Sequence, residues 1–193
     1  MAKLYFRYGA MGSSKTANAL MVRYNYLEKG KKPLLLKPAI ENRDGETTIV
    51  SRIGLSAECE TVENFFWRLR CTTIPKNTLS KYDVIIVDEA QFLRAEDIDN
   101  LAKIVDECNI TVICYGLKTD FTGSLFEGSK RLVELADIIE EIPTICWCGK
   151  KAKFNARIND GKIVYTGKQI MMGGNDSYVS LCRKHYFEGK LHE

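Results

Sequence analysis

The stretch of sequence that decides the fold is LYFRYGAMGSSKT, residues 4–16. Its first residues are aromatic or apolar, as in a buried strand, and Gly9 and Gly12 then allow a tight turn before a helix begins at Lys15. Backbone N–H groups in such a turn, together with the helix N-terminus, attract anions. Lys15 can reach the β- and γ-phosphates of a nucleotide, and the hydroxyl of Thr16 can bind Mg²⁺. The stretch therefore predicts a phosphate-binding loop.

This loop fits the pattern G-x-x-x-x-G-K-[ST] incompletely. Gly9, Lys15 and Thr16 match the pattern, whereas Ser14 stands at the second glycine position. Taken alone, the stretch leaves an alternative open, in which a strand and a turn lead into a helix that Ser13 caps and no ligand is bound.

A second motif favours the phosphate-binding interpretation. Residues 82–87 form the clearest strand pattern in the chain, and this pattern ends in Asp88-Glu89. At the carboxyl edge of a parallel sheet, the Asp88 carboxylate would lie beside the glycine turn, where it can hold Mg²⁺ through water. Because a βα unit separates the two motifs, we expect both at one edge of the same sheet.

Helical and strand patterns alternate as far as residue 142. We predict helices at 15–28, 61–70, 95–108 and 129–136, and strands at 4–8, 33–37, 82–87, 111–115 and 137–142. Residues 38–60 combine Pro, Asn and Gly with many charges and predict a long, mobile loop. Residues 1–143 are therefore predicted to form an α/β domain of the P-loop NTPase type, a RecA-like parallel sheet flanked by helices.

Residues 144–193 predict a second, smaller unit. Three cysteines and one histidine form two close pairs, with 33 residues between Cys148 and Cys182, and this set suits tetrahedral Zn²⁺. A hairpin is predicted from strands at 154–158 and 162–165, and residues 167–178 predict a glycine-hinged loop that can fold over a ligand. The pattern is that of a zinc ribbon, and chance clustering of cysteines is the alternative. The predicted metal ligands are Cys146, Cys148, Cys182 and His185.

Composition and charge narrow the classes of partner. Residues 1–145 carry 19 Lys and Arg against 21 Asp and Glu, whereas residues 146–193 carry 9 against 4. No run of five basic residues occurs, so we expect a solvated lysine-rich surface and no nucleic-acid partner.

No apolar stretch approaches the roughly 18 residues that a membrane span needs, and Arg7 interrupts the early apolar run, so we expect no membrane partner and no signal peptide. Seven cysteines suit free thiols or metal in a reducing compartment, which predicts a cytoplasmic location.

Four motifs, in this order and at this spacing, resemble the cytosolic, zinc-containing thymidine kinases. They are DEAQF at 88–92, GLKTDF at 116–121, CWCG at 146–149 and GGNDSYVSLCRKHY at 173–186. The Cys-x-Cys and Cys-x-x-His pairs look like a bacterial branch of that family. The resemblance implies transfer of the γ-phosphoryl group of ATP to the 5′-hydroxyl of thymidine, which gives thymidine monophosphate for DNA precursor synthesis by salvage. It also implies Mg²⁺, a structural Zn²⁺ and a homotetramer.

The resemblance further implies a role for each site residue. Glu89 would be the catalytic base that accepts the proton of the attacking hydroxyl. Thymine would lie between aromatic and apolar walls, and the backbone of residues 169–173 would read its edge. The implied ATP- and Mg²⁺-binding residues are Gly9, Ala10, Met11, Gly12, Ser13, Ser14, Lys15, Thr16, Arg52, Asp88 and Gln91. The implied thymidine-binding residues are Phe92, Leu117, Phe121, Phe126, Gln169, Ile170, Met171, Met172, Gly173 and Tyr178.

Two other functions remain open at this point. The first is a nucleic-acid-stimulated P-loop ATPase with a zinc ribbon, because residues 88–91 also read like a helicase motif. Its weakness is length, since a helicase motor needs two such α/β domains and 193 residues supply one. The second is a zinc-stabilised nucleotide-binding scaffold without turnover, which only Ser14 favours.

Overall fold

The computed structural model describes residues 1–43, 45–71, 79–170 and 177–192. The described helices are α1 (Lys15–Glu28), α2 (Val62–Cys71), α3 (Ala95–Cys108), α4 (Glu127–Leu135) and α5 (Arg183–Glu188), and a short 3₁₀ helix covers Ala90–Phe92. The described strands are β1 (Leu4–Tyr8), β2 (Pro33–Lys37), β3 (Thr48–Val50), β4 (Ser56–Glu58), β5 (Glu60–Thr61), β6 (Val84–Val87), β7 (Thr111–Gly116), β8 (Ile138–Glu141), β9 (Phe154–Asn159), β10 (Lys162–Val164) and β11 (Tyr178–Leu181).

A six-stranded parallel sheet organises the larger part of the chain. Its strand order is β5-β2-β6-β7-β1-β8, and every neighbouring pair runs parallel. All four residues of β6 are buried, because helices cover a parallel sheet on both of its faces. The predicted α/β sheet flanked by helices is confirmed, and no predicted element between residues 4 and 142 is displaced by more than two residues at either end.

Alternate residues of the strands point into two separate cores. On β2, Leu34 and Leu36 pack with α2, α3 and α4, whereas Leu35 between them packs with Ala19 and Leu20 of α1. This two-residue period is the ordinary alternation of side chains along a strand. The helices therefore sit on opposite faces, and they leave the carboxyl ends of β1, β6 and β7 together at one edge.

The region after β2 differs from the prediction. We expected residues 38–60 to form a long mobile loop, but β3 and β4 pair there as an antiparallel hairpin, and β5 joins the main sheet. The ammonium of Lys37 donates hydrogen bonds to the carbonyl oxygens of Gly45 (2.5 Å) and Thr48 (2.8 Å), and Ile49 is buried against the core. These side-chain contacts hold the hairpin, and the turn-forming composition of the segment does not reveal them.

The C-terminal unit contains a three-stranded antiparallel sheet in the order β10-β9-β11. The predicted hairpin is confirmed as β9 and β10, while β11 and the short helix α5 were not predicted. Both missed elements are very short, and β11 is defined by its pairing with β9 rather than by its own pattern. Over the described ranges, no helix has both the length and the apolar character needed to cross a membrane.

Candidate functional site

The glycine turn after β1 depends on close backbone packing. A Cβ atom on Gly9 would lie 2.3 Å from the carbonyl oxygen of Ile142 and 2.4 Å from Oγ of Ser13, so only glycine fits there. Ser14 has the left-handed φ of 59° and immediately precedes α1, but its side chain makes no capping hydrogen bond. The residue that precedes the helix is Ser14 and not Ser13, so the Ser13 cap considered from the sequence is wrong.

Lys15 lies inside this turn. Its ammonium donates hydrogen bonds to the carbonyl oxygens of Gly9 (3.1 Å) and Ala10 (2.9 Å) and to Oγ of Ser13 (3.3 Å). Burial lowers the pKa of Lys15, although the nearby carboxylates of Glu89 and Asp88 act in the opposite direction. A buried cation held by neutral carbonyl groups is a suitable partner for an incoming phosphate.

Asp88 is buried directly behind the turn and accepts a hydrogen bond from the hydroxyl of Thr16. Burial raises the pKa of the Asp88 carboxyl to about 7, and the negative charge of Glu89 adds to the increase. A hydroxyl and a carboxylate side by side form the oxygen-rich donor set that Mg²⁺ prefers. The residues therefore fit a magnesium ion, which would offset the repulsion that raises this pKa.

Glu89 follows Asp88 in the left-handed conformation, with φ of 52°. Its carboxylate accepts a hydrogen bond from the side-chain amide of Gln91, and the guanidinium of Arg43 lies 3.8 Å away. Gln91 is buried and accepts a hydrogen bond of 2.9 Å from the backbone N–H of Leu117. Gln91 thus fixes the Glu89 side chain against the loop that follows β7.

One cavity of about 360 Å³ runs from the glycine turn to the aromatic residues after β6 and β7. Phe92 and Phe126 meet edge to face in its wall, with ring centroids 5.8 Å apart. Arg52 also reaches the cavity, and its Nη1 atom lies 3.9 Å from the ideal Cβ position of Gly12. The predicted site residues that line it are Met11, Gly12, Ser14, Lys15, Thr16, Arg52, Glu89, Gln91, Phe92, Leu117, Phe121, Phe126, Gln169, Ile170 and Tyr178.

Other predicted site residues lie elsewhere. Gly9, Ala10, Ser13 and Asp88 do not line the cavity, and they support the turn and Lys15 from behind. Residues 171–173, which the sequence predicted as thymidine-binding (Met171, Met172 and Gly173), lie outside the described residues.

Several cavity residues were not identified from the sequence. Glu41 and Arg43 line the cavity from the segment before the β3–β4 hairpin, and the Arg43 guanidinium approaches Glu89. Asp120 and Asn155 line its other end. The buried Arg157 is not among the lining residues, but it contacts three of them, Phe121, Gln169 and Tyr178. Asp120 lies inside the GLKTDF motif and could have been selected for that reason. The other side chains carry no local signal, because a charged or polar residue in a loop or an exposed-looking strand normally faces solvent.

The four predicted metal ligands converge. Their ligand atoms all lie within 4.8 Å of one another, with Cys146 Sγ 3.4 Å from His185 Nδ1 and Cys148 Sγ 4.0 Å from Cys182 Sγ. A tetrahedral zinc ion with Zn–S bonds of 2.3 Å places its sulfur ligands about 3.8 Å apart, so these four residues fit Zn²⁺. The indole of Trp147 stacks on the His185 ring at 4.2 Å and fixes its orientation.

The Cys146 thiol is also prepared for a metal. Burial raises its pKa, but hydrogen bonds from the backbone of Cys148 and Cys182 and from His185 outweigh burial and lower the pKa to about 6. A thiolate is the form of cysteine that binds zinc.

Comparison with known proteins identifies the family. A family model described as thymidine kinase matches residues 2–186. A thymidine kinase of Lactococcus lactis is 45% identical over 192 residues, which cover 99% of this chain and all of that protein. A thymidine kinase of Lactiplantibacillus plantarum is 48% identical over 188 residues (97% and 96%), and one of Streptococcus gordonii is 46% identical over 189 residues (97% of each).

Among solved structures, a DNA replication initiation factor superposes with a TM-score of 0.45 at 14% identity, over 73% of this chain and 40% of that chain. This likeness is too weak to bear on function. The family model and the full-length relatives are decisive, and the chain belongs to the thymidine kinase family.

Proposed function

We propose that this chain transfers the γ-phosphoryl group of ATP to the 5′-hydroxyl of thymidine and releases ADP and thymidine monophosphate. One observation carries the proposal beyond family membership. A single cavity joins a phosphate-binding turn, a carboxylate next to a buried aspartate, and a pair of edge-to-face phenylalanines. Phosphoryl transfer needs these three parts within reach of one another.

The ATP triphosphate would lie on the backbone N–H groups of residues 9–16, with the Lys15 ammonium turning from the carbonyl groups of the turn towards the phosphates. The burial of Lys15 supports this role, because a desolvated cation interacts strongly with an incoming anion. Thr16 and Asp88 would hold Mg²⁺, which when bound neutralises the charge on the β- and γ-phosphates. Arg52 would approach the phosphates from the β3–β4 hairpin.

Glu89 would accept the proton of the thymidine 5′-hydroxyl as that oxygen attacks the γ-phosphorus. It lines the cavity, and the hydrogen bond from Gln91 supports a fixed orientation. Arg43 lies on the far side of the carboxylate, and we propose that it stabilises negative charge in the transition state.

The thymine ring would lie among Phe92, Leu117, Phe121 and Phe126, all of which line the cavity. Apolar walls with a few fixed polar groups suit a flat, neutral base. The polar groups proposed to read its edge are Tyr178 and the backbone of residues 169–173, of which 171–173 stay a prediction.

We also propose that residues 1–143 form the nucleotide-binding domain and residues 144–193 a zinc-binding ribbon with the thymidine loop. A separate apolar cluster that includes Cys146, Leu181, Cys182 and Tyr186 supports this division. The homotetramer that the resemblance suggests and the cytoplasmic location remain proposals, which sedimentation analysis and cell fractionation would test.

The test is product formation. The purified protein is incubated with ATP, Mg²⁺ and, separately, thymidine, deoxyuridine, deoxycytidine, deoxyadenosine or deoxyguanosine, and the products are separated by chromatography. We expect thymidine monophosphate, with little product from the purines or deoxycytidine. ADP formation only with added nucleic acid would replace the proposal with a nucleic-acid-stimulated ATPase, and ATP binding without any product would replace it with a scaffold.

A further inference from the structure

Arg157 is a buried cation in the middle of β9, with only 4% of its surface exposed. Burying a guanidinium is costly unless its N–H groups find acceptors. In the part of the chain that the structure describes, those acceptors are neutral and come from outside β9, on both sides of the proposed thymidine loop.

Three nitrogen atoms of this one side chain hold the two flanks of that loop. Nη1 donates to the carbonyl oxygen of Lys168 (2.8 Å), and Nη2 donates to that of Gln169 (3.2 Å). On the other flank, Nε donates to the hydroxyl of Tyr178 (2.8 Å). Residues on both sides of the loop, 168 and 169 before it and 178 after it, are therefore bonded to the same guanidinium group.

The flat face of the guanidinium is also used. Its central carbon lies 3.6 Å from the ring centroid of Phe121, which is within stacking distance. Phe121, Gln169 and Tyr178 all line the cavity, so three parts of its wall are joined through one side chain. Asp120, next to Phe121, also contacts this flank of the loop. Its carboxylate accepts a hydrogen bond of 2.9 Å from the side-chain amide of Gln169.

We infer that Arg157 is a positioning residue that orders the thymidine site by tying both flanks of the loop to the face of Phe121. This inference rests on the proposed function. Arg157 would act on the affinity for thymidine and leave the ATP end of the cavity unchanged. Among the described residues, its side chain bonds to or stacks on residues 121, 168, 169 and 178, none of which belongs to the phosphate-binding turn. Lysine cannot replace it, since an ammonium lacks the planar fork and the stacking face.

The test compares Arg157→Lys with a matched control, Arg131→Lys. Arg131 lies on α4, forms ion pairs with Asp99 and Glu134 at the surface, and is not among the described residues that line the cavity. Steady-state KM and kcat for thymidine and KM for ATP are measured for both variants and the wild type, together with zinc content and thermal unfolding.

We expect Arg157→Lys to raise KM for thymidine about tenfold or more, from the loss of one or two hydrogen bonds of a charged donor. KM for ATP and zinc content should stay at the wild-type value.

A double-variant comparison separates positioning from general packing. If Tyr178 acts through Arg157, Tyr178→Phe combined with Arg157→Lys should raise KM for thymidine by less than the product of the single effects. If KM for thymidine in the double variant rises by the full product of the two single effects, the two residues act independently and a shared role is contradicted.

The outcomes that overturn the inference are distinct from failure of the proposed function. Absence of thymidine monophosphate with the wild type rejects the proposed function. Normal wild-type turnover with an unchanged KM for thymidine in Arg157→Lys rejects the inference alone, and so does an equal rise in KM for both substrates. If Arg157→Lys does not fold, Arg157→Gln is used. If neither yields zinc-loaded, folded protein, Arg157 is a folding residue and the inference is rejected.

Discussion

The backbone N–H of Met11, in the glycine turn, donates a hydrogen bond of 2.7 Å to Oδ1 of Asn155 in the ribbon sheet. The carbonyl oxygen of Met11 accepts a second bond from the hydroxyl of Ser180 on β11. The side-chain NH₂ group of Asn155 donates a hydrogen bond of 3.2 Å to the carbonyl oxygen of Thr119. The C-terminal unit thus holds both backbone groups of a residue in the phosphate-binding turn, and it links that turn to the loop after β7.

Asn155→Ala should therefore affect the ATP site, although Asn155 belongs to the ribbon sheet. The variant leaves the N–H of Met11 and the carbonyl of Thr119 without this partner, at a cost of about 1–3 kcal/mol. We expect a lower melting temperature and a higher KM for ATP, measured by thermal unfolding and steady-state kinetics. Asn100→Ala on α3 is the control. A variant that loses stability but keeps the wild-type KM for ATP would show that the contact does not shape the turn.

Asp88→Asn should stabilise the protein in Mg²⁺-free buffer while it abolishes turnover. The pKa of Asp88 is raised from 3.8 to about 7, so ionisation is disfavoured in the folded state. In its protonated form the Asp88 carboxyl does not reduce the free energy of unfolding, and this holds fully below about pH 4. As the pH rises through 7 the carboxyl ionises in the folded state, and the wild type loses this stability. The gain in melting temperature from Asp88→Asn should therefore grow between those pH values and level off above about pH 7.

Thermal unfolding of wild type and Asp88→Asn across this pH range measures the difference. At pH 8 we expect a gain of at least about 2 °C, which corresponds to roughly 1 kcal/mol in a chain of this size. A gain that is independent of pH would contradict the assigned titration.

Ser14→Gly tests why serine is tolerated in the turn. Ser14 already has the left-handed backbone that glycine adopts readily, so the turn keeps its shape with either residue. We expect the same KM for ATP and a melting temperature that is unchanged or slightly higher, because relief of strain is offset by the greater freedom of glycine in the unfolded chain.

Ser14→Val is the contrasting variant. A β-branched residue in this conformation should cost about 1–3 kcal/mol of stability. If Ser14→Gly raised KM for ATP about tenfold, a change of 1.4 kcal/mol, the hydroxyl would be a ligand contact rather than a tolerated substitution.

Glu89→Gln should lower kcat for thymidine by about 10²–10⁴-fold, the usual contribution of a positioned general base. KM for ATP should change little, because the amide keeps nearly the shape of the carboxylate. Glu127→Gln, at the start of α4, is the control for loss of one negative charge. Nearly full turnover of Glu89→Gln at saturating ATP–Mg²⁺ and thymidine would show that another group takes the proton.

Cys182→Ser should lose zinc and thymidine binding together. Cys182 follows β11 and is the residue immediately before α5, so a bound metal would hold the end of the strand that Tyr178 starts. Metal analysis and calorimetry with thymidine measure both losses. Cys108→Ser changes a thiol at the end of α3, outside the metal cluster, and should keep the zinc. Tight thymidine binding by zinc-free Cys182→Ser would separate the ribbon from the substrate site.

The sequence by itself determined the local motifs. Gly9, Lys15 and Thr16 specify a turn and a helix start through neighbouring residues. The continuous apolar run before Asp88 is the pattern of a parallel strand that is covered on both faces. The Cys-x-Cys and Cys-x-x-His spacings likewise identify two short pairs of candidate metal ligands. Each of these signals is contained in fewer than about fifteen consecutive residues, which is the range over which periodicity and turn chemistry act.

Only the tertiary structure decided which residues complete the site. Arg157 looks like an ordinary surface charge in a hairpin strand, and the role that we infer for it rests on its contacts with residues 121, 168, 169 and 178 in the folded chain. Ile49 of the β3–β4 hairpin is buried in one apolar cluster with Ile86 and Tyr115, where the sequence predicted a mobile loop. Buried polar side chains act through partners that are distant in the chain, and their hydrogen bonds exist only once the fold has brought those partners together.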